Sequence, residues 1–220
     1  ARQTPQPNAI RVACIGNSIT DGHGIDMATA YGYPAELQKL LGNDYWVKNF
    51  GVSGRTLLNK GDLPYMNETV WRDAQAFKPD IVVIKLGTND SKPQYWQYKA
   101  EFRQDLEQMI TTLCPALAQP AKKGKKNKSQ QSQVSSQKPQ IFLCTPIPAF
   151  KSTWDINDSV IVNGIIPIQK EVAQKYGLRI IDLHTHYAND GDKMLTDGIH
   201  PDGKGAQRLA EIIAGEIKNN

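Results

Sequence analysis

Residues 11–22, Arg11-Val12-Ala13-Cys14-Ile15-Gly16-Asn17-Ser18-Ile19-Thr20-Asp21-Gly22, pass from an apolar run into a polar turn. Val12 to Ile15 is a β run without a polar face, the pattern of a strand buried on both sides of a parallel sheet. Gly16 breaks it, and Ser18 stands just past the strand end, ahead of a helix. In such sheets ligands bind outside the C-terminal strand ends, so a hydroxyl there is placed to meet one. Taken by itself, the same serine also reads as a helix cap or a turn former.

The rest of the chain repeats the theme. β runs are predicted over Tyr45–Val52, Ile81–Leu86, Ile141–Thr145 and Leu178–Leu183. Helical spacing covers Tyr33–Leu41, with Pro34 in a first turn and Gly42 as a stop, and Asn67–Phe77, with Asn67 as a cap. It covers Gln94–Leu113 and Gly205–Lys218, and also Asp158–Tyr176 with a kink near Pro167. Strands alternating with helices predict an α/β fold, a three-layer α/β/α sandwich around a five-stranded parallel sheet. The polar clusters Gly16-Asn17-Ser18, Ser53-Gly54 and Gly87-Thr88-Asn89 each follow a strand, so the topology gathers them on one rim.

A chain of 220 residues with 40% hydrophobic and 22% charged residues fits a single globular domain over 1–220. Residues 1–9 are expected to form a loose arm. The formal net charge of +4 traces to residues 115–139, which hold six lysines and no acid; +4 less six leaves −2 for the remainder. That Lys/Ser/Gln-rich segment is expected to be a flexible, solvated insertion, with contact to an acidic surface as the other reading. The basic excess therefore points away from nucleic acid. No apolar run reaches the length of a membrane span. Cys14, Cys114 and Cys144 are an odd number in apolar settings, which suits core packing rather than a disulfide framework. The chain opens at Ala1 without methionine, from which a processed chain acting outside the cytoplasm is expected.

The last cluster, Asp197-Gly198-Ile199-His200-Pro201, precedes the final helix. A hydroxyl nucleophile needs a base within hydrogen-bond reach, and the base needs an orienting partner. Ser18, His200 and Asp197 fill those roles if the fold joins the chain's two ends. The Asp-Gly-Ile-His run also reads as a turn that caps the closing helix.

With Gly16-Asn17-Ser18-Ile19-Thr20, Asn49-Phe50-Gly51-Val52-Ser53-Gly54, Leu86-Gly87-Thr88-Asn89-Asp90 and Asp197-Gly198-Ile199-His200-Pro201 in this order, the chain resembles the SGNH (GDSL-type) esterases. The resemblance runs from Val12 to the closing helix and is interrupted by the lysine-rich segment. It implies a flavodoxin-like SGNH-hydrolase fold and a serine esterase in which Ser18 is the nucleophile, His200 the general base and Asp197 its orienter. It also implies an oxyanion hole made by the amides of Ser18 and Gly54 and the side chain of Asn89. That chemistry calls for no metal or cofactor. Where the family's first block has Gly-Asp-Ser, this chain has Asn17, a variation that resembles carbohydrate-acting deacetylases more than lipases.

Aromatic residues in the strand-end loops offer surfaces for sugar rings, with Tyr65 and Trp96 as substrate-binding candidates beside Tyr95, and Trp71 read as core. His23, close behind the nucleophile turn, is a candidate for the pocket mouth. No broad apolar stretch suits a long acyl chain, so the expected substrate is a small acyl ester, acetyl first, on a carbohydrate. A lysophospholipase or thioesterase is the alternative, and a non-catalytic phosphate- or nucleotide-binding module is the alternative of another class. Asp182, His184 and His186 alternate after the fifth β run and could together hold zinc; the serine chemistry leaves that reading aside.

Overall fold

In the computed structural model, residues 6–118 and 138–219 are described. The strands are β1 (Ile10–Gly16), β2 (Tyr45–Gly51), β3 (Ile81–Lys85), β4 (Gln140–Cys144) and β5 (Arg179–Ile181). The helices are α1 (Ser18–Asp21), α2 (Ala28–Tyr31), α3 (Tyr33–Leu41), α4 (Thr69–Ala76), α5 (Pro93–Trp96), α6 (Lys99–Leu113), α7 (Asp158–Val160), α8 (Ile166–Tyr176), α9 (Leu183–His186) and α10 (Gly203–Lys218). All strand pairs are parallel, in the order β2-β1-β3-β4-β5.

That order reverses direction between β1 and β3, where Gly16 pairs with Lys85. At such a switch point the crossovers leave on opposite faces and open a crevice beyond the strand ends. Ser18 follows β1 there, and the loops after β2 and β3 flank it. A Cβ on Gly16 would run into the Thr20 side chain and lie 2.8 Å from the Lys85 carbonyl. Only glycine lets the chain turn this close to its neighbour.

The central strands are buried on both faces, as their unbroken apolar runs require. Val12 and Cys14 pack with Tyr33 and Leu37 of α3 and Leu209 and Ile213 of α10. Ala13 and Ile15 face the opposite layer, with Trp71 of α4, Phe102 and Leu106 of α6, and Val172 of α8. Each fully buried aliphatic side chain contributes about 1.5–3 kcal/mol, so both layers fix the sheet that carries the site. Cys14, Cys114 and Cys144 are free and buried in this core.

Several boundaries differ from the sequence reading. The predicted helix over Gln94–Leu113 is two helices, α5 and α6, because Tyr98 leaves helical geometry (φ −93°, ψ 18°). Asn67 ends a short 3₁₀ turn instead of capping α4, and Glu68 stands at that cap position. The kink expected near Pro167 is a π turn over Ile161–Ile165. A proline's ring crowds the carbonyl four residues back and supplies no N–H, and a wider turn relieves both.

Gln6–Ala9 of the expected loose arm forms a turn, Ala9 N–H donating to Gln6 O at 3.0 Å; residues 1–5 lie outside the described residues. So do residues 119–137 of the expected lysine-rich insertion, while Pro115–Leu117 form a 3₁₀ turn. No helix among the described residues is long and apolar enough to cross a membrane.

Candidate active site

Ser18 is the first residue of α1. Asn17 caps that helix: its backbone is extended and its Oδ1 accepts from Ile19 N at 3.2 Å. Asparagine caps as well as aspartate does, and Asn17 is fully buried, so the amide serves here without a buried charge. The Ser18 amide, at the first helical position, has no acceptor within the helix and is available to an anion. Gly22 adopts the left-handed conformation (φ 99°) and closes the turn, and His23 N–H donates back to Ser18 O at 3.0 Å.

The structure brings Ser18, His200 and Asp197 together. Ser18 Oγ lies 2.8 Å from His200 Nε2, across 182 positions of sequence. His200 Nδ1 lies 2.8 Å from Asp197 Oδ2. Asp197 Oδ1 accepts from the amides of Ile199 (2.7 Å) and His200 (2.9 Å), so the carboxylate is held by its own turn. Gly198 permits that turn at φ +70°. Asp202, not the Asp197–His200 run, caps α10, accepting from Gly205 N at 2.9 Å.

Electrostatics agree with this geometry. Burial pushes the Asp197 carboxyl up, but the amide and ring of His200 and the amide of Ile199 outweigh it and hold the group below the usual carboxylate range. His200 is buried, and that burial draws its pKa below the ordinary value against the opposing pull of Asp197. His23 and the fully buried Lys85 act in the same downward direction. The imidazole is therefore neutral, the form a general base requires, over more of the acid range. The acid limb of kcat/KM reports the free enzyme's base and is expected below about pH 6.5, the ordinary histidine value. A pH–rate profile with that limb well above this value would contradict the assignment of His200 as base.

The loops after β2 and β3 are joined by side chains. Gly54 sits at φ +79°, a region open to glycine. Its neighbours are fixed: Ser53 Oγ donates to Asp21 Oδ2 at 2.6 Å, and Arg55 pairs with Glu68 at 2.7 Å. Asn89 Nδ2 donates to Arg55 O at 3.0 Å, and buried Asp90 accepts from the amides of Leu57 and Leu58. A primary amide carries two hydrogens, so Asn89 has one for Arg55 and one for a second acceptor. If that acceptor is an oxyanion, Asn89→Ala lowers kcat by about 100- to 1,000-fold. Steady-state kinetics on a small acetyl ester measures this, and a loss under about tenfold would remove Asn89 from the role.

The aromatic candidates divide. Tyr65 is fully buried, its hydroxyl donating to Phe50 O at 2.5 Å and its ring meeting Trp71 edge-on, so it belongs to the core and not to a sugar surface. Trp96 is also corrected: its ring packs on Phe102 (5.5 Å between centroids) and over Gly164, whose missing Cβ makes the room. His23 is exposed and stands at the site, its ring 4.5 Å from that of His200.

Asp182, His184 and His186 do not share a face. The Asp182 carboxylate accepts from Thr185 N and Oγ1, which ends β5 at Ile181 and starts α9. His184 Nε2 turns to Asp158 Oδ1 (3.1 Å), while His186 is exposed. Among the described residues no group of three such side chains is placed to hold a metal ion.

One neighbour of the site went unnoticed in the sequence. Trp154, 54% exposed, meets the His200 ring edge-on at 5.6 Å. It and Asp155 have φ of 53° and 61°, left-handed values that cost non-glycine residues about 1–3 kcal/mol each. The available signal was a lone tryptophan in a post-strand loop, between Pro148 and the helix at Asp158.

A family model described as GDSL-like Lipase/Acylhydrolase matches residues 14–208 of the chain. An acetylxylan esterase of Xylanibacter ruminicola is 69% identical over 214 residues, covering 97% of this chain and 44% of the relative. The chain thus spans less than half the length of that protein. Among solved structures, the native aryl esterase of M. smegmatis superposes with a TM-score of 0.71 at 18% identity, covering 96% of this chain and 99% of that one. A carbohydrate acetylesterase family member from Sinorhizobium meliloti gives 0.63 at 19% identity, covering 95% and 97%. At such identities the likeness is one of fold.

Proposed function

We propose that this chain, which belongs to the GDSL-like lipase/acylhydrolase family, is a serine esterase that removes small acyl groups, acetyl foremost, from carbohydrate hydroxyls. The observation that carries the proposal is the unbroken relay from Ser18 Oγ through His200 to the Asp197 carboxylate. In this reading His200 takes the Ser18 proton as Oγ attacks the ester carbonyl. The charge on the carbonyl oxygen is met by the amides of Ser18 and Gly54 and by Asn89. His200 then protonates the leaving sugar oxygen, and water, deprotonated by the same imidazole, releases acetate from Ser18.

The substrate half of the proposal is supported by the relative at 69% identity, whose name is acetylxylan esterase. Acetylated xylan is accordingly the first polymer to try, and a polymer of that kind places the reaction outside the cytoplasm. The test compares release of acetate, butyrate and longer acids from matched esters of one sugar. Turnover is expected to be greatest for acetate and to fall with chain length. A preference for chains beyond about butyrate would overturn the substrate reading in favour of a lipid or thioester acyl hydrolase.

A further inference from the structure

We infer that Trp154 is the platform on which the sugar of the leaving alcohol stacks, and so a specificity-determining residue of the site. The inference rests on the esterase reading above. His200 Nε2 must reach both Ser18 Oγ and the departing sugar oxygen, so the ring bearing that oxygen lies beside the imidazole. The His23 ring stands 4.5 Å from that of His200, tilted by 46°. Trp154 is the exposed aromatic that borders the imidazole elsewhere, 5.6 Å from it and tilted by 65°. An indole left 54% open to solvent next to a proton-transferring histidine offers the flat apolar face that the C–H side of a pyranose can cover.

The platform is held in place. The strap that carries it is bonded to the loop that carries Asp197 and His200: Phe150 N–H donates to Gly198 O (2.9 Å), Lys151 Nζ to Thr196 O (2.7 Å) and Thr153 Oγ1 to Asp197 O (2.6 Å). Beyond Trp154, Asn157 N–H donates to Ser91 Oγ (3.0 Å), and Asp158 Oδ1 accepts from Ala149 N (2.8 Å) and contacts His184 Nε2. Bonds at both ends keep Trp154 and Asp155 in the left-handed region. A side chain that gains little from its own burial is thus presented outward at a fixed distance from His200. Preorganisation of this kind spares a ligand the cost of ordering the surface it meets.

The test compares Trp154→Ala, Trp154→Phe and the unaltered protein on two substrates with the same acyl group, an acetylated methyl xyloside and ethyl acetate. For the xyloside, Trp154→Ala is expected to lower kcat/KM by about tenfold, mainly through KM, and Trp154→Phe to restore most of it. For ethyl acetate, which has no ring to stack, the alanine variant should stay within about twofold of the unaltered protein. Equal losses on both substrates would overturn the inference and make Trp154 a support for His200. No loss on either would overturn it too. If the unaltered protein hydrolyses neither ester, the esterase reading itself fails, which the ethyl acetate arm separates from failure of the platform.

Discussion

Ser18→Ala is expected to lower kcat on an acetyl ester by roughly 10⁴- to 10⁶-fold while leaving the melting temperature nearly unchanged. The magnitude is that of removing the nucleophile from a serine hydrolase. The stability half follows from the contacts. Ser18 is only partly buried, and the bond it gives up, to His200 Nε2, leaves the imidazole held by Asp197 at 2.8 Å. Helix α1 keeps its Asn17 cap and its Gly22 closure. Kinetics and thermal melts on the same preparation separate lost chemistry from lost fold. A phosphate- or nucleotide-binding module would respond differently: it has no ester turnover to lose, and removing one hydroxyl should cost it little binding.

Asp197→Asn is the second large effect, a loss in kcat of about 10⁴-fold. The wild-type carboxylate divides its work: Oδ2 faces His200 Nδ1 and Oδ1 takes two amides. An asparagine oxygen can still accept from the backbone, but its NH₂ then faces Nδ1 and makes that nitrogen an acceptor. The ring proton moves to Nε2, where it blocks the approach of the Ser18 proton. Rotating the amide instead would confront the Ile199 and His200 amides with a donor. The same contacts set a pH dependence of stability. The folded Asp197 carboxyl lies below its unfolded value, so the stabilisation is present above the ordinary carboxylate range and is lost as pH falls through the folded value. In Asp197→Asn that contribution disappears, and an acid melt of the variant should lack it.

The parts of this arrangement that could be read from the sequence are those set by short-range pattern. Ile81–Ile84 is apolar throughout because both sheet faces are covered, and that run can be read without tertiary information. Parallel pairing sends every strand end to one rim, which is why the sequence alone groups Ser18, Gly54 and Asn89. Most of the misses have long-range causes. Tyr65 reads as a loop aromatic, yet its hydroxyl finds the Phe50 carbonyl across the edge strand. Trp96 reads as an aromatic open to a sugar, but its ring fills the space that Gly164 vacates, sixty-eight positions away. The fifth β run ends short of its predicted boundary for a local reason: the Asp182 carboxylate captures Thr185 and turns the chain. Trp154 adopts a left-handed backbone that its residue type disfavours, imposed by bonds to the Asp197 loop. No local pattern announces a conformation that distant partners enforce.

The claim on which the account stands is that His200 converts Ser18 into the group that carries the acyl chain. Treating the protein with a fluorophosphonate, which modifies activated serine hydroxyls, and mapping the adduct by peptide mass spectrometry tests it directly. One adduct per chain is expected, on the peptide containing Ser18, and it should be abolished in His200→Ala. An adduct on another residue, or undiminished labelling of Ser18 in His200→Ala, would contradict it.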